Sequence, residues 1–324
     1  MDNPKYKLSA ELGKKVQEAF GVPVEELTLA KLMLDEKFQK EETLFSTVVA
    51  TKVLDTVIRA AEYGRGEGQL WRSASRFVTM DGPTIRIPKS EGGTRLAVRH
   101  GGGAGATSER EYGYTTLDVS NDLTSLHRIP MVMSKSAVKD CEWGLIEDEA
   151  AMGGEALNDD ANYDFVNQFD TMTTTAYVTS HWVTLLNGRK ALKDIGFFPD
   201  TIVLGTTGEV ALLSLQQFID LNQMDRAGQI VKSGQIGRIF NMDVYCNHHV
   251  DNLPVEGGKA IWGLMYEKAK AVAFGLRQDV EAEEVDDVMA WLQGNHLSMR
   301  YDSKIVPYTV AGATVYAGRQ LLAA

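Results

Sequence analysis

Leu145-Ile146-Glu147-Asp148-Glu149-Ala150-Ala151-Met152-Gly153-Gly154-Glu155-Ala156-Leu157-Asn158-Asp159-Asp160 is the stretch on which the fold turns. It lies inside residues 136–169, whose pattern predicts one long helix. Val138, Cys141, Leu145, Ala151 or Met152, Ala156 and Leu157 roughly track one face. At 1.5 Å per residue, about 30 residues make a rod of about 45–50 Å, longer than an ordinary globular helix. Gly153-Gly154 weakens its middle by about 1 kcal/mol per glycine relative to alanine and marks the place for a bend. The charge is one-sided: residues 140–170 hold ten Asp and Glu and no Lys or Arg, a net −10.

Upstream, the character changes. Thr84-Ile85-Arg86-Ile87-Pro88 and Thr94-Arg95-Leu96-Ala97-Val98-Arg99 alternate with period two, as strands do, with Glu91-Gly92-Gly93 as turn chemistry between them. Tyr112 to Val119 alternates again. Residues 65–118 therefore read as a long β-ribbon with few large apolar side chains, which needs another surface to lie on. Its sign is opposite to that of the helix: residues 59–110 hold nine Arg and Lys against five Asp and Glu, a net +4. A charge run is usually a solvated face, but a cationic ribbon and an anionic helix are also complementary partners, within one chain or between copies. Exposed pairs contribute about 0–1 kcal/mol each, so many would have to act together.

Further out, residues 1–45 read as an arm of two short amphipathic segments, Leu8, Leu12, Val16 and Phe20 and then Leu27 to Phe38. Residues 46–64 read as a helix with a stripe of Val48, Val49, Val53, Leu54, Val57 and Ile58. Residues 170–305 read as mixed α/β. Strands are expected at Thr201 to Leu204, Ile239 to Tyr245 and Ala260 to Met265, a helix from Gly208 to Asn222, and a late strand from Arg300 to Thr309.

Composition excludes several classes. The 324 residues carry a net charge of −11, which argues against a protein that coats nucleic acid directly. Two cysteines, Cys141 and Cys246, are no disulfide framework and no four-ligand zinc site. No secretory pattern follows Met1, and no apolar run is long enough for a membrane helix. His100-Gly101-Gly102-Gly103 resembles an esterase oxyanion element, but no Gly-x-Ser-x-Gly elbow accompanies it. The glycines at 100–106 also match a relaxed dinucleotide fingerprint, without the helix start that would hold a pyrophosphate. Cys246, His248, His249 and Asp251 are metal-capable, but adjacent histidines on a strand would point to opposite faces. No cofactor, metal or catalytic residue is expected.

The order of parts (arm, ribbon, long helix, α/β region) resembles the major capsid proteins of tailed phages and related archaeal viruses, the Hong Kong 97 fold. Local texture agrees. Leu192-Lys193-Asp194-Ile195-Gly196-Phe197-Phe198-Pro199-Asp200-Thr201-Ile202-Val203 is similar to the start of that family's axial domain. Gly237 to Tyr245 and Arg300 to Val306 are similar to later strands. The resemblance implies an α+β fold: an N-terminal arm at 1–45, a first part of the peripheral domain at 46–65 and an E-loop at 66–118. The peripheral domain with its spine helix would be 119–175, the axial domain 176–299, and a late strand 300–324 would return to the peripheral domain.

The resemblance also implies a non-enzymatic shell protein that self-assembles into hexamers and pentamers around packaged double-stranded DNA. It implies no sequence-specific DNA contacts and no membrane. Localisation would be the virion capsid, assembled in the host cytoplasm. Portal, scaffold and decoration proteins would be partners, the scaffold being a separate chain or none. The E-loop residues Arg86, Lys89, Arg95 and Arg99 would meet Glu147, Asp148, Glu149 and Glu155 on the spine helix of a neighbour. Lys89 is the one E-loop candidate for the covalent cross-link that some relatives make. Encapsulin shells, which share the fold and enclose cargo enzymes, are the alternative. A soluble enzyme using the loop at 100–106, and a phage tail protein, are further ones.

Overall fold

The computed structural model describes residues 56–57, 60, 67–89, 113–134, 145–178, 180–214, 235–254, 259–287, 292–310 and 313–323. The chain forms two compact units, one of residues 1–65, 126–159 and 278–300, the other of residues 66–125, 160–277 and 301–324. The arm, the strand expected at 94–99 and the glycine-rich loop at 100–106 lie outside the described residues.

The larger unit opens with α1 (Leu70–Ser73), β1 (Arg76–Thr79), β2 (Thr84–Lys89) and β3 (Gly113–Asp118), followed by α2 (Asp122–Ser125). The strand β4 (Leu126–Ser134) belongs to the smaller unit, and the long helix α3 runs Leu145–Asn167. Next come β5 (Thr174–Thr175), α4 (His181–Asp194), β6 (Thr201–Leu204), α5 (Thr206–Leu213), β7 (Gln235–Ile239), β8 (Met242–Cys246) and β9 (Ile261–Tyr266). The chain ends with β10 (Val272–Asp287), β11 (Leu292–Ile305), β12 (Pro307–Val310), β13 (Ala313–Tyr316) and β14 (Gly318–Leu322). Among the described residues, no helix is long and apolar enough to cross a membrane.

A six-stranded mixed sheet, in the order β5-β14-β9-β6-β8-β7, is the centre of the larger unit. Its middle strands are apolar on both faces because both are covered: all four residues of β6 and all six of β9 are buried. On one face, Gly188 of α4 sits against Leu321 and Met265. On the other, Phe169 lies 4.7 Å from the ring of Tyr266, whose hydroxyl donates to the carbonyl of Ala74 at 3.0 Å. The C-terminal strand is built in: Gln320 Nε2 donates to Phe169 O at 2.7 Å.

Several expectations need correction. Ile239 to Tyr245 is not one strand. Phe240 and Asn241 have φ of 51° and 65°, so the chain turns there and β7 pairs back on β8. Two left-handed residues fit the twist of a two-residue hairpin turn, and asparagine is the readable cue. Phenylalanine is not: the left-handed state costs about 1–2 kcal/mol for a residue with a Cβ. Packing holds it, with Trp182 at 5.1 Å and the Arg189 guanidinium at 4.9 Å from its ring. The strands expected at 84–88 and 112–119 are present and pair with each other, Thr84 facing Asp118 and Lys89 facing Gly113. Residues 70–79, read as ribbon, form α1 and β1. Leu70 and Trp71 are buried, and β1 runs parallel to β10.

In the smaller unit β4 runs antiparallel to β11, from Leu126 opposite Arg300 to Ser134 opposite Leu292. The buried face of α3 matches the expected one only in part. Leu157 is buried and Ala151 half-buried, but Met152 is 63% exposed and Ala156 is exposed, while Ala150, Gly153 and Gly154 are buried. The glycines are points of close approach. A Cβ on Gly153 would lie 2.8 Å from side chains of Leu297 and Met131, and one on Gly154 would meet the carbonyl of Val57.

Candidate interaction surfaces

The ribbon β2–β3 has two unlike faces, because alternate residues of a strand point to opposite sides. Ile85 and Ile87 share one face with Leu117 and Thr115; Ile87 is 2% and Leu117 0% exposed. A Cβ on Gly275 of β10 would touch Leu117, so this face is seated on the unit's own core. The other face holds Thr84, Arg86 and Pro88 with Asp118, Thr116 and Tyr114, all exposed except the half-buried Thr116.

The foot of the ribbon is pinned. Asp118 N donates to Asp302 Oδ2 at 2.7 Å, Val119 N to Pro83 O at 2.8 Å, and Lys304 Nζ to Thr116 O at 3.1 Å. Hydrogen bonds from the Ser120 side chain and backbone hold the Asp118 carboxyl below the usual carboxylate range.

Of the cationic residues expected to make contacts, Arg86 is exposed on β2, with its guanidinium 4.8 Å above the ring of Tyr114. Lys89 ends β2, while Arg95 and Arg99 lie outside the described residues. Of the acidic residues, Glu147, Asp148, Glu149 and Glu155 all lie on α3. Asp148 is exposed, and Glu149 and Glu155 are half-buried. Arg86 belongs to the larger unit and the four acidic residues to the smaller. Two other carboxylates of the acidic run serve the larger unit's interior. The buried Tyr301 hydroxyl lies 3.0 Å from Asp164 Oδ2 and 3.3 Å from Asp160 Oδ2.

The segment after β8 also departs from the sequence reading. His248 and His249 are not on a strand but on a 3-10 turn, His248–Asn252, and their rings are 3.9 Å apart. The two rings therefore do not point to opposite faces of a strand, as expected, but lie side by side. Their surroundings are structural. Glu67 accepts from Asn247 Nδ2 at 2.7 Å and from His248 N at 3.1 Å, with His248 Nδ1 at 3.0 Å, so this turn clamps the lead-in to α1. Asp251 accepts from Thr206 N at 2.8 Å and so caps α5. The Cys246 thiol donates to Glu209 at 3.1 Å, and burial pushes its titration far up.

Tyr114 lies on the outward side that the alternation of β3 gives it with Thr116 and Asp118, away from Leu117. The helix α4 was not expected, although its Ser180 cap, accepting from Val183 N at 3.3 Å, is a legible start signal.

No protein-family model matches the sequence, and no curated protein is significantly similar to it. Solved structures do match. One from Mycobacterium phage Bobi is 14% identical with a TM-score of 0.54, over 79% of this chain and 91% of that one. The capsid of cyanophage P-SCSP1u is 12% identical with a TM-score of 0.54, over 80% and 89%. The capsid of the native GTA particle is 12% identical with a TM-score of 0.52, over 82% and 90%. The chain has the mixed α+β fold of these phage and particle capsid chains.

Proposed function

We propose that this protein is a capsid shell subunit of the Hong Kong 97 type. Many copies would assemble as hexamers and pentamers into an icosahedral virion shell around double-stranded DNA. The observation that carries the reading is the likeness to capsid chains, which this chain covers to about nine tenths of their length. Its role is structural. The net charge of −11 favours acidic groups that face other subunits or the outside rather than DNA.

In this reading the exposed ribbon face of one copy crosses the acidic helix of the next. Arg86, Lys89, Arg95 and Arg99 oppose Glu147, Asp148, Glu149 and Glu155. The two-faced ribbon supports it: one face is anchored at home and the other is left outward with a cation stacked on an aromatic ring. Arginine and tyrosine are residues that dominate interface energies. A portal, a scaffold and a decoration protein would be the other partners.

The test is size-exclusion chromatography with negative-stain microscopy of the chain expressed alone. Closed shells or rings of five and six are expected. A monomer or dimer that never assembles, even with crowding at low salt, would overturn the reading.

A further inference from the structure

The larger unit carries two exposed apolar patches that nothing among the described residues covers. The first is on α4. Trp182, Leu186, Arg189 and Lys193 recur at i, i+4, i+7 and i+11 and so form one stripe. Leu186 is 38% exposed, and the half-buried Trp182 packs on Phe240 at the β7–β8 turn. Arg189 lies over Phe240 and donates to its carbonyl at 3.4 Å. Among the described residues, no carboxylate pairs with Arg189, Lys190 or Lys193. With the exposed Asp194 at the helix end, the rim holds three cations against one carboxylate and is net positive.

The second patch is on α5, where Val210 is 70% and Leu213 43% exposed, three residues apart on one face. Its surroundings are anionic: Glu209 and the exposed Asp251, which caps the helix through Thr206. The patches lie on different helices: Gly188 of α4 sits against Leu321 and Met265, and Gly208 of α5 packs on Trp262.

We infer that the α4 patch of one copy docks on the α5 patch of the next, head to tail. The chemistry favours a second copy because the two rims have opposite sign and the two centres are both apolar. Neither patch is complementary to itself, since each would bring like charges together. A contact between two different patches repeats from copy to copy, and closes into a ring when the rotation allows it. This inference rests on the shell-forming reading and names surfaces through which its rings would form.

The test uses two full-length variants, Leu186→Asp and Val210→Asp, with Lys193→Glu as a second change in the first patch. All three positions are exposed, and a thermal melt matching wild type checks that each variant folds. Sedimentation velocity is then run on wild type, on each variant and on the mixture. The expected result is assemblies from wild type and monomers from each variant. The mixture should show a species of twice the monomer mass, because one intact α4 patch meets one intact α5 patch. Folded variants that assemble like wild type, or a mixture that stays monomeric, would overturn the inference while leaving the shell reading intact. A wild-type chain that never assembles would overturn both.

Discussion

Gly154 of α3 lies directly against the backbone of Val57, with no room for a side chain between them. Two effects compete when alanine replaces a helical glycine. Helix propensity favours alanine by about 1 kcal/mol. Overpacking costs about 1–3 kcal/mol, and more where the obstacle is backbone that cannot rotate away. At Gly154 the obstacle is the Val57 carbonyl, so Gly154→Ala is expected to lower stability by about 1–3 kcal/mol. At Gly153 the neighbours are the ends of the Leu297 and Met131 side chains, which can shift. Gly153→Ala is expected to be near neutral. Urea unfolding of the two variants beside wild type checks the difference; equal loss at both positions would contradict it.

The Tyr301 hydroxyl is expected to matter more than its single proton suggests. It lies between Asp160 and Asp164, one helical turn apart. Burial and the two carboxylates push its own titration far up, so it remains a donor at any ordinary pH. Tyr301→Phe keeps the ring stacked on Phe274, 4.9 Å away, and removes only that donor. A loss of about 1–3 kcal/mol is expected, the cost of withdrawing a buried hydrogen-bond partner. An unchanged unfolding midpoint would show that other partners of these carboxylates suffice.

His181 should give the fold a measurable acid sensitivity. Burial holds its imidazole below the ordinary histidine range. Its ring meets Tyr177 at 5.3 Å and Trp262 at 5.0 Å, both edge to face. The unfolded chain takes up this proton near pH 6.5. The folded chain resists it to lower pH, so unfolding binds a proton in that window. This contribution to stability is intact above about pH 6.5 and is lost as pH falls through the folded value. His181→Gln should lose less stability than wild type between about pH 7 and pH 5. Parallel slopes for the two proteins would remove His181 from the account.

Much of this architecture was legible in the residues, and the misses have physical reasons. The run Thr201-Ile202-Val203-Leu204 announced a buried strand because both of its faces are covered. The β10–β11 pair was not announced. Val272 to Leu276 is buried on both faces, but Asp279, Glu281 and Glu283 are exposed beyond it, so one strand carries two different patterns. The exposed Met152 shows why the face of α3 was legible only in part: Leu157 is buried as expected, Met152 is not. Hydrophobicity favoured methionine as core, whereas close packing selected Gly153 and Gly154. At the surface sites the charges were legible, but their pairing was not. Sequence shows a net −10 without showing that Tyr301 engages Asp160 and Asp164.

Arg86 gives the sharpest test of the ribbon as an inter-subunit surface. Its contact with Tyr114 is exposed and contributes about 0.5–1 kcal/mol, so its loss should hardly affect folding. Arg86→Glu reverses a charge on the outward face alone, since Ile87 and Leu117 keep the inward face seated. The expected outcome is a thermal melt close to wild type with a marked reduction in assembled species by sedimentation. Adding Arg95→Glu and Arg99→Glu should deepen the defect. Salt offers an independent check, because screening shortens from about 10 Å at 0.1 M to about 3 Å at 1 M. Wild-type assembly through a cationic ribbon and an acidic helix should weaken over that range, and the Arg86→Glu variant should show less of this dependence. Normal assembly from the triple variant, with unchanged salt dependence, would refute the ribbon contact and leave the subunit fold untouched.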